Sequence, residues 1–203
     1  MDADTRRQAI VRAAHAVFVE VGFARATTAA IAARAQVSKR SIYDSFADKT
    51  ALFAAVIRNH QHVIIDLPRP PDEDLPVLET MVRLFRLDID DEEERAREAI
   101  LNLIVRESVL FPELSDYLYD NEVIRSRAAL VQWLELEHRR GRIPCCDPPV
   151  HAGMLMDIVF GALLPRRRLV DAPDRACRRE HIKQRLAIFL RGIQEDRSID
   201  GAR

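Results

Sequence analysis

Apolar residues recur at helical spacing along most of the chain. Close to its start, apolar positions three and four apart fall on one helical face, and they are Ile10, Ala13, Ala14, Val17, Phe18 and Val21. Three residues that typically cap helices, Thr27, Ser38 and Asp48, precede the next apolar groups. The sequence has no strand-like alternation, no internal repeat and no apolar run long enough to span a membrane. This pattern predicts an all-α protein.

The stretch 27–53 predicts two short helices joined by a tight turn and followed by a third helix. In the second helix, Ile42 and Phe46 lie four positions apart and face inward, whereas Arg40 and Asp44 face outward. A helix-turn-helix has this arrangement, because its first helix braces the second and the second presents its outward face to the major groove of DNA.

Several polar side chains on and beside the second helix are candidate DNA contacts. Lys39, Arg40 and Ser41 occupy its first turn, where side chains reach base edges, and an arginine bound to guanine contributes roughly 1 to 3 kcal/mol of discrimination. Lys49 begins the third helix, where its charge opposes the helix dipole, and this position favours a nearby phosphate over a simply solvated lysine. The full set of candidate contacts is Thr28, Ser38, Lys39, Arg40, Ser41, Tyr43, Asp44 and Lys49.

Asp44 is an acidic residue on a face that is expected to meet DNA, and it has two interpretations. It pairs with Arg40 four positions earlier, or it accepts a hydrogen bond from the amino group of a cytosine. We favour the pair with Arg40.

The first 53 residues resemble the N-terminal domain of the TetR family of bacterial transcriptional regulators. The family pattern is Gly-aromatic, a Thr pair, Ile-Ala, Ala-Gly-Val-Ser, Leu-Tyr-x-x-Phe-x-x-Lys and a Leu-Phe pair. The matching residues are Gly22, Phe23, Thr27, Thr28, Ile31, Ala32, Ala35, Val37, Ser38, Ile42, Tyr43, Phe46, Lys49, Leu52 and Phe53. The resemblance implies that Lys49 contacts the DNA backbone. Gln36 replaces the usual turn glycine, so we expect it to be driven to a positive φ.

The remainder of the chain is predicted to be helical, with prolines between the helices. The proline-rich segment 68–71 indicates a linker, and we predict a DNA-binding domain at residues 1–59 and an effector-binding and dimerisation domain at residues 60–203. Helices are expected at about 72–85, 95–110, 112–141, 147–164 and 174–194, which makes about nine helices in all.

Residues 99–165 also resemble one C-terminal class found in the TetR family. The residues that carry this likeness are Arg106, Glu107, Phe111, Pro112, Glu113, Leu114, Gly161, Leu163 and Leu164. The resemblance implies that the domain binds a small molecule and dimerises through its last two long helices. Gly153, Asp157 and Gly161 form a strip of small residues that allows another helix to approach closely. The predicted interface residues are Gly153, Asp157, Gly161, Ile182, Leu186 and Phe189.

The predicted effector site combines one cation with apolar side chains. Arg106 lies in an otherwise apolar helix, where it can anchor an anionic ligand, and the other candidates are Phe111, Tyr117, Trp133, Met156 and Phe160. The alternative is that Arg106 pairs with an acid or reaches solvent, and that the apolar residues belong to the core.

Charge and composition agree with an intracellular regulator. The net charge is only −1, but residues 1–50 hold eight basic and five acidic side chains, and phosphate binding requires only such a local surplus. Three cysteines without CxxC spacing and the lack of a signal peptide favour the cytoplasm. Cys145 and Cys146 are adjacent, and a sensor role for them stays open.

We find no catalytic motif, so we expect no enzyme activity, and we expect neither a cofactor nor a metal. The sequence therefore favours a homodimeric transcriptional repressor whose partners are a double-stranded, pseudo-palindromic DNA operator and a small-molecule effector. Two alternatives remain: a transcriptional activator, and a helical ligand-binding or interaction protein whose N-terminal part does not bind DNA.

Overall fold

The computed structural model describes residues 2–70, 72–144, 147–163 and 174–200, with side chains up to residue 194. These residues form eleven helices and no strand, which confirms the predicted all-α class. Cys145, Cys146 and Leu164 lie outside them. The helices are α1 (Ala3–Arg25), α2 (Thr28–Ala35), α3 (Lys39–Ser45), α4 (Lys49–Asn59), α5 (Gln61–Ile64), α6 (Val77–Leu84), α7 (Asp91–Leu110), α8 (Pro112–Asp120), α9 (Ser126–Arg139), α10 (Pro148–Leu163) and α11 (Arg175–Asp200). No helix among the described residues is long and apolar enough to cross a membrane.

The chain divides into two compact units. The first unit comprises residues 1–62 and 95–124, and the second comprises residues 63–94 and 125–203. The first unit therefore takes most of α7 and all of α8 in addition to the N-terminal helices. Our division into a DNA-binding part at 1–59 and an effector-binding part at 60–203 concerns function, and it stays a prediction.

Aromatic packing organises the core of the first unit. The Phe18 and Phe53 ring centroids are 5.2 Å apart, and Phe23 lies 5.4 Å from Phe53 and 5.6 Å from Phe111 at the start of α8. The apolar faces that the sequence predicted are also buried, and they include Ile10, Ala14, Val17, Ile31, Ile42, Leu52, Val56 and Ile57. Helices α1, α4 and α8 are thus joined through shared aromatic side chains.

Glycine at position 22 allows α7 to approach α1 closely. Gly22 interrupts α1 with a φ of 80°, and a side chain there would begin only 3.2 Å from Oε1 of Glu107. Arg106 donates a hydrogen bond to the backbone oxygen of Phe18 at 3.1 Å and another to Glu107 at 2.7 Å. Positive φ is costly for any other residue type, so this kink depends on glycine.

The helix-turn-helix has the predicted caps and the predicted strain. Thr27, Ser38 and Asp48 accept backbone hydrogen bonds at the starts of α2, α3 and α4, at 3.1, 3.1 and 2.7 Å. Gln36 has a φ of 54° at the end of α2, as the missing turn glycine predicted. The left-handed conformation costs a residue with a Cβ about 1 kcal/mol.

In the second unit, two buried carboxylates are paired with arginines. Glu94 is fully buried and pairs with Arg178 of α11 at 3.1 Å. Glu137 of α9 is also buried, and it pairs with Arg140 at 3.0 Å and with Arg142 at 2.9 Å. A buried carboxylate requires such partners, because desolvation of an unpaired charge costs several kcal/mol.

The prediction of one helix over residues 112–141 was wrong. The chain forms α8 and α9 instead, because Glu122 takes a φ of 53° and ends the first helix. Val123 folds back beneath this turn, where it is fully buried and its N–H donates to the Leu118 oxygen at 2.8 Å. Together with the short helix α5, this break explains why eleven helices are present where about nine were expected.

Two neighbouring histidines, one in α1 and one at the end of α4, predict sensitivity to acid. The His15 and His60 rings are 4.2 Å apart, and burial, with a smaller effect of the His60 charge, lowers the pKa of His15 to about 4. An unfolded histidine has a pKa near 6.5, so protons bind preferentially to the unfolded chain as the pH falls from 6.5 towards 4. Stability should therefore decrease across this range, by about 1 kcal/mol at pH 5.5 after allowance for partial exposure.

His15→Gln should reduce the difference in thermal unfolding midpoint between pH 7.5 and pH 5.5. His62→Gln removes an exposed histidine two positions after His60 and should leave that difference unchanged. Equal pH sensitivity of His15→Gln and the unsubstituted chain would contradict this assignment.

Candidate nucleic-acid interface

The outward face of α3 is polar and exposed. Ser38 accepts a hydrogen bond from the backbone N–H of Ser41 and is 2.9 Å from its hydroxyl, which fixes the start of the helix. Lys39, Arg40, Tyr43 and Asp44 follow with exposed side chains, whereas Ile42 is buried. The first turn and the outward side of α3 are therefore accessible, as they must be for this helix to enter the major groove of DNA.

Two hydroxyl groups meet where α2 begins. The Thr28 hydroxyl oxygen lies 3.4 Å from the Tyr43 hydroxyl oxygen, and the Tyr43 side chain is 57% exposed. Hydroxyl groups this close can hydrogen-bond to the same phosphate, and phosphate contacts fix the position of a protein along DNA. The N-terminus of α2 adds its partial positive charge there.

Arg7 holds the C-terminal end of α3, which sequence reasoning missed. Its guanidinium donates to the Ser45 backbone oxygen at 2.8 Å and lies 4.2 Å from the centre of the Phe46 ring. A cation at a helix C-terminus is favourable because it meets the negative end of the dipole. The contact spans 38 positions, so no local pattern in the sequence indicates it.

Lys49 makes three hydrogen bonds inside the protein. Its ammonium group donates to the backbone oxygens of Phe23, Ala24 and Ala26, at 2.8, 3.3 and 3.2 Å, and lies 4.4 Å from the centre of the Phe23 ring. An ammonium group has three N–H donors, so all of them are used. A phosphate would have to displace one of these oxygens or bind to the backbone N–H. The assignment of Lys49 as a phosphate contact stays a prediction.

The pair between Arg40 and Asp44 is absent. The structure describes both side chains and gives neither of them an ion pair or a hydrogen bond with the rest of the described chain. Both lie exposed on α3, where solvent weakens an attraction between side chains one helical turn apart. Our preferred interpretation of Asp44 was therefore wrong for this conformation, and the second one remains.

The predicted effector residues are divided between the two units. Arg106, Phe111 and Tyr117 belong to the first unit, and Trp133, Met156 and Phe160 belong to the second. Arg106 pairs with Glu107, as the alternative interpretation expected, while Trp133 is buried and Phe160 lies 6.1 Å from Phe85. Their common role in binding an effector stays a prediction.

The predicted dimer residues fall into two groups. Asp157 is exposed and Gly153 and Gly161 are half-buried on α10, whereas Ile182, Leu186 and Phe189 are buried within the single chain. Side chains already covered by their own chain are not available to a partner. The accessible apolar positions are instead Val150 and Met154 on α10 and Ile188 on α11, which are 52%, 47% and 59% exposed.

Two known protein families match this chain, one over the helix-turn-helix region and one over the C-terminal part. Residues 10–56 match the family described as bacterial regulatory proteins, tetR family, and residues 93–192 match the AefR-like transcriptional repressor C-terminal domain. The chain is a helix-turn-helix transcriptional regulator, and it belongs to the TetR family.

Relatives and solved structures agree with this family over nearly the whole chain. The HTH-type transcriptional regulator YvkB of Bacillus subtilis is 25% identical over 188 residues, which cover 92% of this chain and 96% of YvkB. The flavonoid-responsive regulator FrrA is 25% identical, with 93% and 97% of the two chains covered and a TM-score of 0.62. SmeT, solved with triclosan, is 27% identical over 78% of each chain, also with a TM-score of 0.62.

The three Lys49 hydrogen bonds predict a stabilising role for this residue. Lys49→Met keeps an unbranched apolar stem but removes the ammonium group, which leaves the Phe23, Ala24 and Ala26 oxygens without this donor. The free energy of unfolding should fall by about 1 to 3 kcal/mol, as measured by denaturant titration.

Lys39→Met is the matched control, because the exposed Lys39 has no hydrogen bond or ion pair within the described residues. It should change the free energy of unfolding by less than about 0.5 kcal/mol. Equal stabilities of the two variants would show that the Lys49 contacts do not contribute.

Proposed function

We propose that this regulator is a repressor that binds a pseudo-palindromic DNA operator as a homodimer and dissociates when a small-molecule effector binds. The observation that carries the proposal is the outward face of α3, which places exposed Lys39 and Arg40 beside the paired hydroxyls of Thr28 and Tyr43. Side chains for base edges and side chains for phosphates thus lie on one surface.

Two hydrogen bonds from side chains to backbone oxygens support this face as a rigid surface. Arg7 fixes the end of α3, and Lys49 fixes the start of α4 against the end of α1. A recognition helix must be held in place, because a small misplacement breaks several base contacts at once. The two contacts join α1 to α3 and to α4, so the helix-turn-helix is bonded to the helix behind it.

The proposed dimer uses α10 and α11. Along α10, Val150, Met154, Asp157 and Gly161 follow one another at spacings of four, three and four, which places them on one face. A Cβ added at Gly161 would meet nothing within 4 Å. Apart from Asp157, this exposed strip carries only apolar or small side chains, which suits the close antiparallel contact of identical helices about a two-fold axis.

We propose an apolar aromatic molecule as the effector. FrrA responds to flavonoids and SmeT binds triclosan, and both are similar to this chain over most of its length. Within the first unit, Arg58 of α4 donates to the Asn121 backbone oxygen at 3.0 Å, just after α8. A shift of α8 on effector binding would therefore act directly on α4, which follows the helix-turn-helix.

The purified chain should retain genomic DNA fragments that share a pseudo-palindrome at physiological salt, where counterions suppress weak non-specific binding. Addition of a flavonoid or triclosan should then release these fragments. Tyr43→Phe should weaken binding about five- to tenfold for every sequence alike, since it removes one hydroxyl contact to phosphate.

Tyr119→Phe is the control for this experiment, because Tyr119 is also an exposed tyrosine, 61% accessible on α8. Its DNA affinity, measured by fluorescence anisotropy, should equal that of the unsubstituted chain. Failure of the unsubstituted chain to enrich any fragment would contradict operator binding, and retention that every tested aromatic compound leaves unchanged would contradict the effector class.

Met154→Glu should separate the proposed dimer into monomers. A glutamate on the α10 strip would bury an unpaired charge in the interface, which raises the dissociation constant at least about a hundredfold. Sedimentation velocity should detect the change. Val109→Glu alters an exposed apolar residue of α7, 76% accessible, and should remain dimeric. A dimeric Met154→Glu variant would exclude this face.

A further inference from the structure

Asp44 is an acidic residue on the face of α3 that is proposed to meet DNA, and attraction to phosphates does not explain its presence there. It lies on the outward face with Arg40 one helical turn before it, and both side chains are exposed. In the described chain neither side chain has a hydrogen bond or an ion pair, so Asp44 does not serve to position Arg40. A free carboxylate so close to phosphates weakens binding to any DNA, unless a donor group in the groove offsets the repulsion.

The base edges of the major groove differ in the donor that they offer. A carboxylate is acceptor-only, and cytosine presents a single amino donor there. Guanine presents two acceptors and thymine presents one, so both repel a carboxylate. Adenine places an acceptor beside its amino group, which makes it a poorer partner than cytosine.

The spacing of Arg40 and Asp44 lets both contact neighbouring base pairs. Four residues of α-helix rise about 6 Å, whereas successive base pairs are about 3.4 Å apart. A helix that lies along the groove therefore brings the two side chains to base pairs at most about two steps apart. Arginine prefers guanine, so Arg40 and Asp44 favour a guanine near a cytosine in each half-site.

We propose that Asp44 is a specificity-determining residue that accepts a hydrogen bond from the amino group of one cytosine in each operator half-site. It gains this bond at the matching base and repels the acceptor edges of guanine and thymine, so it acts partly by excluding wrong sequences. This inference rests on the proposed function, because it requires that α3 enters the major groove.

The test is selection of duplexes from a random-sequence DNA pool by the full-length chain, followed by sequencing. The unsubstituted chain should enrich a pseudo-palindrome with one cytosine position per half-site. In Asp44→Ala the preference for cytosine at that position should fall about tenfold, while the base preferences at the other positions should stay the same. Asp44→Asn should shift the same position towards adenine, because an amide pairs with the adenine amino group and N7.

Asp120→Asn is the matched control, since it removes the charge of an exposed aspartate at the end of α8, and it should retain the cytosine. Thermal unfolding of each variant should show that the helices are intact. An unchanged cytosine preference in Asp44→Ala overturns the inference and leaves the proposed function standing. A pool without any enriched site for the unsubstituted chain overturns both.

Discussion

The end of α1 is the point on which the first unit depends. Gly22 bends the helix, and Phe23 then packs in the aromatic cluster with Phe53 and Phe111. Lys49 donates hydrogen bonds to backbone oxygens that follow the bend. Its ammonium group lies 4.4 Å from the centre of the Phe23 ring, so Lys49 contacts both the aromatic cluster and the backbone at the end of α1. The aromatic packing and the hydrogen bonds thus involve the same few residues at the end of α1. Because Phe53 and Lys49 belong to α4, these contacts set the position of α4.

The helix boundaries of the helix-turn-helix could be predicted because their causes are local. Thr27, Ser38 and Asp48 cap helices through residues three positions later, and Gln36 occupies a turn whose backbone geometry is set by its neighbours. The same holds for the buried faces of α1 and α4, which follow from apolar spacing. Local causes of this kind can be recognised in the sequence itself.

Contacts between distant segments could not be predicted. Lys49 was expected to serve a phosphate, yet its donors meet oxygens 23 to 26 positions earlier in the chain. Arg7 reaches Ser45, and Arg106 reaches the Phe18 oxygen, over 38 and 88 positions. The break at Glu122 was missed for a similar reason, because it depends on the burial of Val123 and not on a proline or glycine. A single sequence shows which residues are polar, but it does not show which partner folding brings to them.

The first unit is assembled from two separate stretches of chain, residues 1–62 and 95–124. Its N-terminal stretch alone lacks Phe111 for the aromatic cluster and Arg106 for the Phe18 oxygen. A hybrid regulator made by joining the first 60 residues of this chain to the remainder of a relative would therefore inherit a foreign α7 and α8 beneath its own α1. Recombination between such proteins should preserve folding best when both stretches are exchanged together, so specificity for DNA and the helices that support it are inherited as one discontinuous block.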